Sequence, residues 1–228
     1  MNLSIPVLIG PGRGHRFAPA GLRSGLTLMA GRYERPVARF LQENLRTSGV
    51  FFDVGAYTGY FTRIALRVMP QDGRVVAFEP DRNCQKKLKA IGHSQRVTLR
   101  VEAIGNVDDA GTLVSSPGVC SRLADAMPLS NRRGNASTIE VRTLDDLVRK
   151  GAVPQPDTMK IDVEGSEMAV LSGASDVLSG VQALAVESHS MPLLRDVLDF
   201  LLDSGYGWIR VTAGGDYLGP PTVLARRR

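Results

Sequence analysis

The chain has 228 residues, 43% of them hydrophobic and 22% charged, with a formal net charge of +5 at pH 7. That length suits one α/β domain with a full core, and the composition excludes a disordered or fibrous chain. No apolar run reaches the roughly 18 residues of a membrane span, the first residues lack the pattern of a secretory signal, and Cys84 and Cys120 lack metal-type spacing; the expectation is a cytoplasmic protein with free thiols.

Residues 1–34 are rich in Gly, Pro and Arg with little periodicity and are expected to form an N-terminal arm or lid, with a disordered tail as the alternative. From Pro36, residues Val37, Phe40, Leu41 and Leu45 follow helical spacing, with Pro36 suited to a first turn and Gly49 ending the run. Val50 to Val54 reads as a buried strand, closed by the turn Gly55-Ala56-Tyr57-Thr58-Gly59. Phe61, Ile64, Ala65 and Val68 then mark a helix that Pro70 stops. Arg74 to Phe78 forms a second strand ending in Glu79. Pro80 and Asp81 open a helix with Cys84, Leu88 and Ile91 on one face, and Val97 to Val101 is the third strand, leading to Ala103 and Ile104.

Residues 105–140 interrupt this alternation as a variable insert. Within it, 112–114 and 138–141 look like short strands, and the long polar segment between them reads as a functional or disordered loop. Thr143 to Asp146 has the character of a capping box before a short helix. A strand over Thr158–Val163, a helix from Ser166 and a strand over Leu184–Glu187 follow. The stripe Leu193, Leu194, Val197, Leu198, Leu201 and Leu202 predicts a helix with that face in the core. Segments 206–211 and 217–224 close the chain as an antiparallel pair. Strands alternating with helices over residues 35–228 predict a doubly wound, mostly parallel α/β sheet, which binds ligands beyond the carboxyl ends of its strands. Asp53, Glu79, Ala103, Asp162 and Glu187 all fall at or just after such ends.

The turn after the first strand suits a nucleotide, because Gly55 and Gly59 tolerate positive φ and a close ligand, and the helix behind offers unpaired N–H groups. It lacks the G-x-G-x-x-G triplet of dinucleotide sites, and the Asp53 carboxylate would repel a pyrophosphate. S-adenosylmethionine, with its sulfonium and ammonium, suits that acid better. By position, Asp53 and the turn Gly55, Ala56, Tyr57, Gly59 would hold the methionine end. Glu79, followed by Pro80, would take the ribose hydroxyls, and Ala103 and Ile104 would flank the adenine. Lys160, Asp162 and Glu164 alternate and should share one face of a strand. Buried polar residues of that kind need partners or a task, and a Lys160–Glu164 ion pair is the structural alternative. Methyl transfer needs an aligned acceptor and a route for its proton, roles open to Asp162, Lys160, Glu187 and His189. His189 is a candidate base from its ordinary pKa near 6.5. Asp162, Glu187 and His189 also form a candidate set for a divalent metal, which this reading does not require.

Phe52 to Phe61, Val76 to Pro80 and Lys160-Ile161-Asp162-Val163-Glu164-Gly165-Ser166-Glu167 resemble the FkbM-type methyltransferases. Val170 to Ala174, Ala185 to Glu187 and Gly31 to Glu34 extend the resemblance, which runs from about Gly31 to about His189. Tyr57 departs from it, since the family often carries Asn there. The resemblance implies a seven-stranded, Rossmann-like class I fold that uses S-adenosyl-L-methionine, usually for O-methylation of small, sugar-bearing acceptors. A methyltransferase acting on RNA or protein is the alternative enzyme, and a non-catalytic nucleotide-binding module the alternative outside catalysis. The sequence pI near 9.5 permits an acidic partner, yet the excess Arg lies toward the two ends and no aromatic-rich basic strand accompanies it, so nucleic acid is disfavoured. A homo-oligomer is compatible with the chain.

Overall fold

A computed structural model describes residues 5–17, 26, 29–91, 95–115, 121–126, 135–214 and 219–227. A two-stranded antiparallel ribbon, β1 (Ile5–Pro6) and β2 (Arg16–Phe17), comes first. Helix α1 (Arg35–Leu45) leads into β3 (Val50–Val54), α2 (Tyr60–Val68), β4 (Arg74–Phe78), α3 (Arg82–Ile91) and β5 (Val97–Arg100). These strands pair in parallel, and β3 and β4 carry the buried, largely apolar runs of inner parallel strands.

Past β5 the structure departs from the simple reading. Ala103–Ile104 is not the tip of β5 but a separate strand, β6. With β7 (Asp109–Ser115), β8 (Arg122–Leu123) and β9 (Asn135–Arg142) it forms a four-stranded sheet in the order β6-β9-β7-β8. The insert is therefore a small sheet rather than two strands flanking a long loop. Its β7 and β9 pair across seven consecutive positions, from Asp109↔Val141 to Ser115↔Asn135. Cys120, with the segments 116–120 and 127–134 of the expected loop, lies outside the described residues, as does His93.

The chain returns to the main sheet through α4 (Leu144–Arg149), where Thr143 Oγ1 accepts from Asp146 N–H at 3.2 Å in the expected cap. Strand β10 (Thr158–Ile161) ends two residues earlier than the alternating pattern suggested, so Asp162 and Val163 belong to the loop beyond it. Helices α5 (Glu167–Ser172) and α6 (Ser175–Leu178), the second not expected, precede β11 (Ala183–Glu187). In α7 (Met191–Asp203) the buried face is Leu194, Val197 and Leu201; Leu202 is exposed, contrary to the broader stripe. Strands β12 (Trp208–Gly214) and β13 (Gly219–Arg226) complete the expected antiparallel pair.

The seven strands run in the order β12-β13-β11-β10-β3-β4-β5; neighbours from β11 to β5 pair in parallel, and β13 pairs antiparallel with both β11 and β12. Sequence order reverses between β3 and β10, so the chain makes its ligand crevice there. Alternation along each strand divides the core. Phe52, Val54, Met159, Ile161, Leu184 and Val186 pack toward α4 to α7. Phe51, Val75, Ala183 and Ala185 pack toward α1 and α2. On that second face Asp53, Lys160 and Glu187 continue the alternation, carrying charge into an otherwise apolar layer. Among the described residues no helix is long and apolar enough to cross a membrane.

Candidate active site

The turn after β3 is built by backbone constraints. Gly55 has φ 79°, and a Cβ there would strike the carbonyl oxygen of Asp162, so only glycine lets the β3 and β10 ends approach this closely. Gly59 has φ 84°, and a Cβ there would stand 2.5 Å from Ile91 Cδ1 and 2.8 Å from Leu88 Cδ2. Tyr57 itself takes φ 49°, a left-handed conformation that costs energy for a side chain of its size. Its N–H donates to Glu79 Oε2 at 2.7 Å, while Asp81 N–H donates to Glu79 Oε1 at 2.8 Å. Glu79 thus ties the turn to the start of α3. Burial pushes its carboxyl up to about 8 despite those two donors.

A cleft of about 650 Å³, open mouth included, lies over this turn. Of the expected cofactor residues, Gly55, Tyr57, Glu79, Pro80, Ala103, Ile104 and Asp162 line it. Asp53, Ala56 and Gly59 do not. Asp53 is buried beneath the turn, its Oδ2 accepting from Thr62 Oγ1 at 2.6 Å, and Ala56 packs with Ala77 and Leu88. Burial raises the Asp53 pKa, against the pull of Lys160 and Thr62. The small sheet closes the far side with Leu113, Ser121 and Leu123. Cys84, expected on a core face, also lines the cleft, and burial pushes its thiol up to about 12, which keeps it unreactive. No local pattern marked the insert residues, because only the fold brings them over the turn after β3.

Beside the cleft, beyond the β10 and β11 ends, lies a cluster of charge. Lys160 is fully buried; its Nζ donates to Asp162 Oδ2 at 2.7 Å and sits 4.8 Å from the centre of the Phe61 ring. Burial alone would lower its pKa, but Asp162, Glu34, Glu187 and Asp53 outweigh it and hold the ammonium protonated. Burial works against the Asp162 charge, yet Lys160 and then His189 bring that pKa below its usual value. Glu187 is pushed up to about 10 by burial, then by Asp162 and Glu34. The Lys160–Glu164 pair does not form: Glu164 Oε2 instead accepts from Arg122 Nη2 of β8 at 2.7 Å. His189 Nδ1 lies 2.8 Å from Oε1 of the fully buried Glu167, which also accepts from Gly165 N–H at 3.0 Å. Burial would lower the His189 pKa, but the carboxylates of Glu167, Glu164 and Asp162 raise it overall.

The four expected catalytic residues, Lys160, Asp162, Glu187 and His189, therefore meet in one place. Glu34, Glu164 and Glu167 join them without having been singled out as catalytic. Glu34 just precedes α1, and only the packing of that helix on the sheet carries it to Lys160.

A family model described as the methyltransferase FkbM domain matches residues 53–207. The chain is 29% identical over 173 residues to the hexuronic acid methyltransferase AglP of Haloferax volcanii, covering 76% of this chain and 70% of that one. Among solved structures, the methyltransferase FkbM of Methylobacillus flagellatus matches with a TM-score of 0.58 and 21% identity, over 78% of this chain; the chain spans only 43% of that protein's length. The O-methyltransferase TomG of Streptomyces achromogenes, solved with S-adenosylmethionine, matches with a TM-score of 0.52 and 14% identity, over 85% of this chain and 81% of the other. These structural likenesses carry the fold, a class I methyltransferase sheet, and the domain match carries the kinship: the chain belongs to the FkbM methyltransferase family.

Proposed function

We propose that the protein transfers a methyl group from S-adenosylmethionine to a hydroxyl of a small, sugar-bearing acceptor. The observation that carries this reading is the meeting of Asp162 with both halves of the site: it lines the cofactor cleft and belongs to the charged cluster. The cleft fits the cofactor chemically. Glu79 stands at the second strand end with a carboxyl group for the ribose hydroxyls, the Gly55 turn admits a close ligand, and Ile104, Leu113 and Leu123 offer an apolar wall to a purine. When bound, the cofactor supplies a methyl group on a positively charged sulfur.

The residues here bind and orient rather than form covalent bonds. Asp162, kept ionised by Lys160, favours positive charge at the inner end of the cleft. His189, held by Glu167, and the carboxylates beside it promote loss of the acceptor proton. Asp162 at the inner end of the cleft and His189 beside it would hold the acceptor hydroxyl in line with the donor sulfur. The sugar acceptor is supported by AglP, whose name gives it a hexuronic acid as substrate.

Calorimetric titration with S-adenosylhomocysteine tests the reading. Micromolar binding is expected in the native chain, with a loss of at least about tenfold in Glu79→Ala, about 1.4 kcal/mol. His189→Ala should retain that binding but lose methylation of uronic-acid glycosides. No binding by the native chain would overturn the proposal.

A further inference from the structure

The geometry around His189 has a feature that proton transfer alone does not account for. Its Nδ1 is taken by Glu167, so in the neutral ring that nitrogen carries the hydrogen and Nε2 presents a lone pair. Nε2 faces three carboxylates: Glu164 Oε2 at 3.4 Å, Asp162 Oδ1 at 3.7 Å and Glu187 Oε1 at 4.0 Å. The first lies at the edge of hydrogen-bond range and the other two beyond it. Atoms ligating one cation at about 2.1–2.3 Å are spaced about 3.0–4.5 Å apart, from neighbouring to opposite positions. The observed spacing matches that interval, and ligand atoms of Asp162, Glu164 and His189 all lie within 4.8 Å of one another.

Independent support comes from Glu187. It is 9% exposed, and its Oε2 is buried without a hydrogen-bond partner. A buried carboxylate left so is costly unless a proton or a cation joins it. The cations already present leave room for one more. Lys160 Nζ occupies Asp162 Oδ2, while Oδ1 lies toward the imidazole; Arg122 shares Glu164 Oε2 by a hydrogen bond that a ligating oxygen can still accept. The Glu167–His189 contact is also what orients a metal-binding imidazole, a buried carboxylate fixing the ring from behind.

We propose that Asp162, Glu164 and His189 form a site for one divalent cation, with Glu187 standing beside it, and that the cation holds the acceptor hydroxyl beside the methyl donor. The role given to the cation rests on the methyl-transfer reading; the site itself does not. The cation lowers the pKa of the hydroxyl bound to it, whose proton leaves to solvent. The oxygen–carbon bond forms as the carbon–sulfur bond breaks, and the electron pair goes to sulfur. The set differs from the one suggested by sequence in having Glu164 in place of Glu187, because the turn after β10 brings Glu164 back toward His189.

The test is titration of Mn²⁺ into the EDTA-treated full chain with S-adenosylhomocysteine present, followed by the paramagnetic resonance of free Mn²⁺. One equivalent should be taken up with micromolar affinity. Glu164→Gln and His189→Ala should each weaken that uptake by about tenfold or more, while S-adenosylhomocysteine still binds and reports an intact fold. Free Mn²⁺ throughout, in a protein that binds S-adenosylhomocysteine, would overturn the cation site and leave the methyl-transfer reading standing. Uptake unchanged in both variants would also overturn it, by locating the ion elsewhere. Uptake without any nucleotide binding would instead remove the methyl-transfer reading and retain the site.

Discussion

Lys160 is a fully buried ammonium whose surroundings are carboxylates: Asp162, Glu34, Glu187 and Asp53 all act to keep it charged. Removing one partner from such a set leaves like charges facing each other in a dry layer, which costs more than the ion pair itself contributes. Lys160→Met should destabilise the chain by about 3–5 kcal/mol in urea unfolding; a change below about 1 kcal/mol would mean that the acids find protons at little cost. A second buried residue gives a pH dependence. His15 is 3% exposed, its Nε2 lies 3.1 Å from Thr58 Oγ1, and its pKa is brought down to about 4 by burial, then by Arg63 and Lys87. Between about pH 4 and 6.5 the unfolded chain therefore binds a proton there that the folded chain does not, so stability rises with pH across that window and falls on acidification, by up to about 1.4 kcal/mol per pH unit. His15→Gln should flatten that limb of a melting-temperature profile; an unaltered limb would show that His15 does not control it.

Among the elements, the turn between β3 and α2 carries the tightest steric demand. Gly55→Ala would both force a side chain into φ 79° and drive its Cβ onto the Asp162 carbonyl, parting the two strand ends that hold the crevice. The expected result is weaker S-adenosylhomocysteine binding by about tenfold or more together with a lower melting temperature, at a backbone cost of about 1–3 kcal/mol. Unchanged calorimetry in that variant would mean the approach of β3 to β10 is not needed for the site. This turn was legible in the sequence because its signals are local: an apolar run, an acid, two glycines and a helical period. The small sheet was not. Much of β7 and β9 faces solvent and carries polar residues, so alternation is weak, and the strands acquire their meaning only by pairing with each other across the insert.

At the scale of the molecule, the N-terminal ribbon and the charged C-terminal end are both fastened to the domain. Gly12 packs against the Tyr60 ring, Pro11 O accepts from Arg67 Nη1 at 3.3 Å, and His15 reaches Thr58 within the turn after β3. Deleting residues 1–17 should therefore weaken S-adenosylhomocysteine binding by about tenfold, about 1.4 kcal/mol in calorimetry; full affinity in the shortened chain would reduce the arm to a passive cover. Arg226 pairs with Glu43 at 2.8 Å and stacks over Phe40 and Trp208, while Arg227 lies over Tyr206 and donates to Leu178 O at 2.9 Å. Two of the arginines that raise the net charge thus have partners within the domain.

By itself the sequence determined the alternation of strands and helices, the glycine turn, and the acids at the strand ends, because each follows from spacing within a few residues. The tertiary structure decided which of those acids touch. Lys160 chose Asp162 over Glu164, Glu164 went to Arg122 from the insert, and His189 was claimed by Glu167. Those choices depend on the early end of β10, the left-handed turn at Glu164 and the sheet folded from the insert. Contacts between charges from distant segments are set by how whole elements pack, and no local period carries that information.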